Sequence, residues 1–145
     1  MKLIYTTEVE ETINLGERIG SILFPGAVIT LNGDLGAGKT TFTKGIAKGL
    51  NITRVVNSPT FTIMKIYEGD LVLYHMDVYR LNGIGFDYDL EEYIYGEGVC
   101  VIEWSENIKD SIDEYLQIDI TLKDGKRLFE ISTNSTKYKK IMESL

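Results

Sequence analysis

Residues 33–40 read GDLGAGKT, and this stretch decides how the rest of the chain is interpreted. It matches the pattern G-x-x-x-x-G-K-[ST] in full, with Gly33 and Gly38 as its glycines, followed by Lys39 and Thr40. Glycines let the backbone curl so that successive amide groups point into one concavity, and a helix that begins there adds its free amides and positive dipole end. A loop of this kind binds phosphate groups.

Each part of the loop is expected to contact a different part of a nucleoside triphosphate, with ATP and Mg²⁺ as the expected ligands. The Lys39 ammonium would reach the β- and γ-phosphates, the Thr40 hydroxyl would ligate Mg²⁺, and Thr41 would contact the α-phosphate. The bare pattern arises by chance in roughly one chain in 200 of this length, so the match is informative. The remaining predicted loop contacts are Leu35, Gly36, Ala37 and Gly38.

The sequence on both sides of the loop has the context that a phosphate-binding loop requires. The apolar run 27–31 predicts a buried parallel strand before the loop, and a helix is predicted at about 39–50 after it. Further upstream, residues 2–6 predict a short strand. A second helix is predicted to follow that strand, with Thr7 and Glu10 as its capping box.

Downstream of the loop the pattern changes to short strands separated by turns. Together with the elements around the loop, they predict one domain over residues 1–145, with an α/β sheet that carries antiparallel additions. The alternation near the end of the chain predicts a hairpin. The predicted downstream elements are strands at 61–67, 71–74, 99–102, 118–122 and 129–131 and a helix at 87–95.

The composition narrows the kinds of partner that the protein can have. The chain has 145 residues and a formal net charge of −7. Direct binding to nucleic acid depends on Lys and Arg neutralising phosphates. Because the chain is acidic, we do not expect it to bind DNA or RNA by itself. No long apolar run is present, which predicts neither a signal peptide nor a membrane span. The single cysteine, Cys100, is expected to be an inert core residue and suits a reducing cytoplasm.

Two acidic residues are candidates for the carboxylate that such a site needs to hold the magnesium shell or polarise water. Glu103 ends a predicted buried strand, and Asp77 follows the strand that ends near His75. Glu103 would therefore project at the edge of the sheet where ligands bind. The residues alone leave a second interpretation open for each, a solvated carboxylate at a strand end.

Three further features have two interpretations each. Residues 58–60, Ser-Pro-Thr, are either a switch loop that senses the γ-phosphate or a plain turn. Trp104 is either a core residue or an exposed contact surface beside Glu103. His75, the single histidine of the chain, is interpreted as a core or surface histidine rather than as a ligand.

Several blocks of sequence, taken in order, resemble the bacterial TsaE family, the ATPase component of the machinery that makes threonylcarbamoyladenosine in tRNA. Each block apart from the phosphate loop is weak alone, but the ordered set over about residues 5–107 is specific. Ser105 stands where proline is common in the family. The blocks are residues 15–18 (LGER), 31–41 (LNGDLGAGKTT), 58–61 (SPTF), 74–81 (YHMDVYRL) and 102–106 (IEWSE).

The resemblance implies a three-layer P-loop NTPase fold whose mixed sheet has a parallel core, antiparallel hairpins and helices on both faces. It implies an ATP hydrolase that works beside the threonylcarbamoyl-transferase subunit (TsaD-like) and its inactive paralogue (TsaB-like). Turnover by the isolated protein is expected to be slow, because no arginine finger is evident in the sequence. These partners modify adenosine 37 of certain tRNAs, so the ATPase would meet tRNA only indirectly.

The resemblance also assigns roles to particular residues. Thr40 and Glu103 correspond to the Mg²⁺ ligands, Asp77 to an essential catalytic acid and Trp104 to a required neighbour, while Lys39 serves the phosphates. Further nucleotide contacts are expected near Val9 and Lys126-Arg127.

Three rival functions remain open from the sequence. A GTPase would carry the base-reading pattern N-K-x-D, which is absent because residues 107–110 have those letters in the wrong spacing. A nucleotide-gated binding module would differ from an ATPase only in its rate of hydrolysis. A small-molecule kinase would need a lid and more arginines than the chain has, which are Arg18, Arg54, Arg80 and Arg127.

Overall fold

Seven strands form one mixed sheet in the part of the chain that the structure describes, and helices pack against it. The computed structural model describes residues 1–34, 36–57, 64–78, 92–105 and 112–145. The strands are β1 (Lys2–Thr6), β2 (Val28–Gly33), β3 (Met64–Tyr67), β4 (Leu73–Asp77), β5 (Val99–Glu103), β6 (Leu116–Lys123) and β7 (Lys126–Thr133). The helices are α1 (Val9–Gly20), α2 (Lys39–Gly49), a 3-10 turn (Thr136–Tyr138) and α3 (Lys139–Ser144).

The order of the strands in the sheet is β1-β7-β6-β2-β5-β4-β3. The centre is parallel, since β2 pairs with both β5 and β6, and β4 pairs with β5 in the same sense. The outer pairs β1–β7, β6–β7 and β3–β4 are antiparallel. Because the four parallel strands run the same way, their carboxyl ends meet at one edge, where the loop after β2 also lies. The predicted parallel core with antiparallel additions is confirmed.

Apolar side chains cover both faces of this sheet. One cluster joins alternate residues of the strands to Ile19 of α1 and to Phe42 and Ile46 of α2. A smaller cluster on the opposite face contains Cys100 and Ile102, from the alternate positions of β5. Burying a side chain of this size stabilises the fold by about 1.5–3 kcal/mol, so the large cluster fixes α2 and the loop before it.

Two glycines bring α1 and α2 into backbone contact. A Cβ atom at Gly45 of α2 would collide with the carbonyl oxygen of Ile13, and one at Gly16 of α1 would collide with that of Phe42. The two helices therefore pack more closely than any side chain at these positions would allow. The position of α2 determines where its first turn meets the phosphate loop, so this contact helps to place the candidate site.

The elements differ from the predicted ones in a few places. The start of α1 is capped by Glu11, whose carboxylate accepts hydrogen bonds from the Glu8 amide at 3.2 Å and the Thr7 hydroxyl at 2.6 Å. The predicted cap, Thr7 with Glu10, was wrong by one residue. The predicted hairpin between β6 and β7 is confirmed, and its two-residue turn has positive φ at Asp124 (52°) and Gly125 (76°), as type I′ turns require.

One predicted helix lies partly outside the described residues. Of the helix predicted at 87–95, residues 92–95 form turns, and residues 87–91 lie outside the described part of the chain. The 3-10 turn and α3 at the carboxyl end were not predicted. In the described ranges, no helix combines the length and apolar content needed to cross a membrane.

Candidate functional site

The loop between β2 and α2 has the backbone conformation that its glycines permit. Gly36 has φ of 84° and Gly38 has φ of 114°, both in the left-handed region that other residues rarely adopt. Gly38 is the N-cap of α2, and no described side chain caps that helix. The amides of its first turn therefore have no acceptor within the helix, as expected of an anion site. Leu35, also predicted to contact the nucleotide, lies outside the described residues.

Lys39, the first residue of α2, is buried, with only 8% of its surface exposed. Its ammonium donates a hydrogen bond to the carbonyl oxygen of Gly33 at 2.6 Å and lies 3.7 Å from Oε1 of Glu103. It also lies 4.2 Å from the centroid of the Trp104 ring, within the range of a cation–π interaction. The structure thus brings three predicted site residues together around one ammonium group.

Glu103 and Asp77 occupy equivalent positions on two neighbouring parallel strands. Asp77 ends β4 and Glu103 ends β5, and their Cα atoms are partners in the register of the two strands. Glu103 is 3% exposed, whereas Asp77 is half-buried. The interpretation of Glu103 as a solvated strand-end carboxylate is therefore wrong. Both acids lie at the sheet edge that carries the phosphate loop.

Trp104 leaves the strand in a conformation that is rare for a residue with a side chain. Its φ is 60°, in the left-handed region. Directly after it, the buried Ser105 donates a hydrogen bond to Oδ1 of Asn32 at 3.2 Å. Asn32 in turn donates to Asp119 at 3.0 Å, and Gln117 donates to the other oxygen of Asp119 at 2.9 Å. This chain of bonds ties the ends of β2 and β5 to the first half of β6 beside the loop.

The two threonines after Lys39 lie in the first turn of α2. Thr40 and Thr41 are both half-buried there. The proposed magnesium ligands are Thr40 on α2 and Glu103 on β5. The ion pair between Lys39 and Glu103 joins the same two elements. Among the described residues, no group of three or more His, Cys, Asp and Glu side chains is placed to hold a metal ion. Mg²⁺ usually takes one or two protein ligands together with substrate phosphates, so two ligands suffice.

The late hairpin reaches the loop through Arg127. Its Nε donates a hydrogen bond to the carbonyl oxygen of Ala37 at 2.8 Å. A Cβ atom at Gly38 would lie 2.8 Å from the same nitrogen, so a side chain there would displace the end of Arg127, and the left-handed φ already favours glycine. Arg127 pairs in register with Thr6 of β1, and Val9, which is 52% exposed, begins α1 three residues later. The predicted outer contact Arg127 thus lies on the strand that pairs with β1, and Val9 begins the helix that follows β1.

Open space adjoins the loop on the side of β6. A cavity of about 460 Å³ is bounded by the loop and by the end of β6. Its walls include backbone of the loop and the carboxylate-bearing Asp119, which places polar groups around the space. The residues lining it are Asn32, Gly33, Asp34, Gly36, Ala37, Asp119, Ile120, Thr121 and Leu122.

Comparison with known proteins identifies the family. A family described as Threonylcarbamoyl adenosine biosynthesis protein TsaE matches residues 6–129 of this chain. The chain belongs to the TsaE family. The matched span contains every site residue named above, from Val9 to Arg127, and ends before the 3-10 turn and α3.

Individual TsaE relatives cover nearly the whole chain. The tRNA threonylcarbamoyladenosine biosynthesis protein TsaE of Bacillus subtilis strain 168 is 48% identical over 143 residues, which is 97% of this chain and 90% of the relative. The protein of the same name from Treponema pallidum strain Nichols is 46% identical over 123 residues, 81% of this chain and 90% of the relative. The crystal structure of Bacillus subtilis YdiB aligns with a TM-score of 0.86 at 43% identity, covering 99% of this chain and 92% of that one. The predicted family and α/β P-loop-type fold are confirmed.

One contact of the candidate site was not predicted from the sequence. His75 is fully buried, and its Nε2 lies 2.5 Å from Oε2 of Glu103. Its burial agrees with its interpretation as a core histidine, but the contact with Glu103, 28 positions away, was missed. One signal was present in the sequence, since the period of a strand puts His75 on the same face as Asp77.

Two other interpretations have different outcomes. Cys100 is buried, and burial raises the pKa of its thiol to about 12, so its assignment as an inert core residue is confirmed. The proposed switch loop at 58–60 lies outside the described residues, and the choice between switch and turn stays a prediction.

Proposed function

We propose that this TsaE-family protein binds ATP with Mg²⁺ at the loop between β2 and α2 and hydrolyses it, in support of threonylcarbamoyladenosine synthesis in tRNA. The observation that supports ATP chemistry most directly is the buried group around Lys39. Its ammonium lies 3.7 Å from the Glu103 carboxylate and 4.2 Å from the Trp104 ring, at the start of a helix that no described side chain caps. A positive charge, free amides and a carboxylate at one sheet edge suit a metal-bound polyphosphate.

The residues of the loop and of the neighbouring strand end fit both ATP and Mg²⁺. The backbone at Gly36 and Gly38 is left-handed, and a Cβ atom at Gly36 would meet no described atom within 4 Å, so open space adjoins the loop at this glycine. The Thr40 hydroxyl and Glu103 carboxylate are hard oxygen donors of the kind that Mg²⁺ prefers. Mg²⁺ would supply neutralisation of the charge that develops on the phosphates. The donor set therefore matches a magnesium nucleotide.

Within this proposal each side chain has a separate task. Lys39 exchanges its bond to the Gly33 carbonyl for the phosphates, and Thr40 with Glu103 holds the metal. Asp77, beside Glu103 in the register of β4 and β5, is placed to orient the attacking water or accept its proton. Trp104 covers the Lys39 ammonium and keeps bulk water away from it.

The biological role follows from the family. The relatives from Bacillus subtilis and Treponema pallidum are both named as tRNA threonylcarbamoyladenosine biosynthesis proteins, and the first is 48% identical to this chain. We place this protein in the same process, beside the transferase subunit (TsaD-like) and its inactive paralogue (TsaB-like). The net charge of −7 suits contact with tRNA through such partners better than direct binding.

The proposed role is tested by replacing the Bacillus subtilis relative with this chain in a depletion strain and measuring threonylcarbamoyladenosine in bulk tRNA. We expect wild type to restore the nucleoside and Lys39→Ala to fail. Lys44→Ala, which changes an exposed lysine of the same helix, is the matched control and should restore it. Restoration by Lys39→Ala, or failure of wild type that is produced in folded form, would contradict the proposal.

The proposed chemistry is tested with the purified protein, alone and with the two partner proteins. Magnesium-dependent release of phosphate from ATP is expected, slow alone and faster with the partners. Tight nucleotide binding without turnover in any combination would favour a nucleotide-gated binding module. A phosphorylated small-molecule acceptor would favour a kinase, and preference for GTP in a thermal-shift competition would favour a GTPase.

A further inference from the structure

We propose that His75 is a positioning residue that fixes the Glu103 carboxylate in the orientation needed at the phosphate loop. This inference rests on the proposed function, in which Glu103 holds the metal of the bound nucleotide. His75 would touch neither nucleotide nor metal. It would act on the reaction through Glu103 alone.

The register of two strands brings the pair together. On β4 and β5, His75 is opposite Val101 and Asp77 is opposite Glu103, so the His75 side chain lies diagonally across from Glu103 on the same face. Nε2 of His75 lies 2.5 Å from Oε2, while Oε1 lies 3.7 Å from the Lys39 ammonium. The two carboxylate oxygens therefore have different partners. Oε2 is held toward the sheet interior and Oε1 toward the phosphate loop.

If position 75 served packing alone, an apolar side chain would be more stabilising there than histidine. His75 is fully buried, and its Nδ1 has no hydrogen-bond partner in the described part of the chain. A buried polar atom without a partner costs about 1–3 kcal/mol. Leu73, two positions earlier on the same strand face, is an apolar residue that is also fully buried. The polar ring of His75 is explained by its bond to Glu103.

The bond has a consequence for the ligand that Glu103 would bind. A glutamate side chain has three rotatable bonds, and a hydrogen bond from a rigid buried ring selects one arrangement of them. Groups that orient a metal ligand in this way typically change metal affinity or activity by about 10- to 100-fold when removed. Without the ring, Oε1 would no longer be restricted to the side of the loop.

Two substitutions separate positioning from packing. His75→Leu removes the donor and fills the space, whereas His75→Gln keeps an amide donor at a similar reach. For His75→Leu we expect a 10- to 100-fold rise in the Mg²⁺ concentration for half-maximal ATP hydrolysis, or an equal fall in kcat. Nucleotide affinity measured in EDTA should change less than about twofold, because the loop amides and Lys39 are unaltered. His75→Gln should recover most of the loss.

Either of two results would overturn the positioning role. One is a His75→Leu variant with the wild-type kcat and Mg²⁺ dependence. The other is an equal loss of activity in His75→Leu and His75→Gln together with a loss of nucleotide affinity in EDTA. That pattern would indicate general damage to the fold. A melting curve of each variant shows which has folded.

A spectroscopic measurement tests the bond without any turnover. His75 is the single histidine of the chain, so protein made without a histidine tag gives one set of imidazole resonances in a proton–nitrogen NMR spectrum. We expect a slowly exchanging Nε2 proton in wild type and in Asp77→Asn, and its loss in Glu103→Ala. An imidazole spectrum unchanged by Glu103→Ala would overturn the inference. A wild type that shows the protected proton but never hydrolyses ATP would instead contradict the proposed function.

Discussion

The Lys39 ammonium and the Glu103 carboxylate lie 3.7 Å apart, and both side chains are almost completely buried. Removing one member of such a pair leaves the other charge buried without compensation, which typically destabilises a protein by about 3–5 kcal/mol. Glu103 keeps the His75 bond, and Lys39 keeps the Gly33 carbonyl and the Trp104 ring, so each retains some compensation. Variants of this pair must therefore be measured for folding as well as for activity.

Glu103→Gln and Lys39→Ala should have different effects on nucleotide binding and on turnover. The glutamine keeps the size of the side chain but removes the charge that would hold Mg²⁺, so we expect nucleotide binding to persist and turnover to fall by at least about tenfold. Lys39→Ala removes the phosphate contact and should lose affinity as well. Calorimetry with ATP and single-turnover hydrolysis measure the two quantities, with Glu97→Gln as an exposed control. Wild-type turnover in Glu103→Gln would exclude Glu103 from the chemistry.

Nucleotide binding should be visible in the fluorescence of Trp104, the single tryptophan of the chain. Its ring lies 4.2 Å from the Lys39 ammonium, and a phosphate ligand would redirect that charge. We expect a saturable change in emission as magnesium ATP is added to wild type, and none in Lys39→Ala over the same range. Constant emission at concentrations where calorimetry detects binding would mean that the contact between Lys39 and Trp104 persists in the complex.

The parts of the site that the sequence predicted are those that local chain spacing determines. The loop from Gly33 to Thr40 follows from one octapeptide, and Glu103 and Asp77 were found because each ends a strand. The contacts that were missed join distant parts of the chain and depend on strand register. His75 meets Glu103 28 residues away, and Asn32 meets Asp119 87 residues away.

Residue preference at the helix start caused the error at α1. Thr7 with Glu10 fits the capping pattern, whereas Glu8 with Glu11 has the same spacing but lacks the Ser or Thr that the pattern begins with. In the structure Glu11 accepts from both the Thr7 hydroxyl and the Glu8 amide, which places the helix start one residue later. The sequence pattern therefore favoured the cap that the structure does not use.

Gly45→Ala should destabilise the fold through the contact between α1 and α2. A Cβ atom there would collide with the carbonyl oxygen of Ile13, and the helices would have to separate. Forcing extra volume into a packed contact costs about 1–3 kcal/mol. Lys44→Ala, at the exposed neighbouring position, should change stability by less than about 0.5 kcal/mol. Urea unfolding of both variants measures the difference, and equal stability would show that the helices tolerate the methyl group.

Cys100 should make stability fall at alkaline pH. Burial raises the pKa of its thiol from the ordinary 9.0 to about 12, so the folded protein keeps a proton that the unfolded chain loses. Its contribution is complete below pH 9 and is lost as the pH rises from 9 toward 12, with a slope of at most about 1.4 kcal/mol per pH unit. Cys100→Ala should show a shallower decline between pH 9 and 11 in urea unfolding. Parallel curves for the two proteins would contradict this assignment.

Arg127 is expected to support nucleotide affinity by holding the phosphate loop. Its Nε donates to the Ala37 carbonyl at 2.8 Å, which restrains the loop between its two left-handed glycines. A hydrogen bond from a charged group is worth about 1.5–3 kcal/mol, so Arg127→Gln should raise the Kd for magnesium ATP by at least about tenfold.

The matched control for Arg127 is an exposed lysine of the same hairpin. Lys123→Gln also removes one positive charge, but Lys123 lies at the turn between β6 and β7. If Arg127 acted only by long-range attraction, both variants would weaken binding equally, and the loss would disappear as salt is raised. Because the Ala37 bond is direct, we expect only Arg127→Gln to lose affinity, and the loss to persist at high salt. Calorimetry at two salt concentrations separates the two cases.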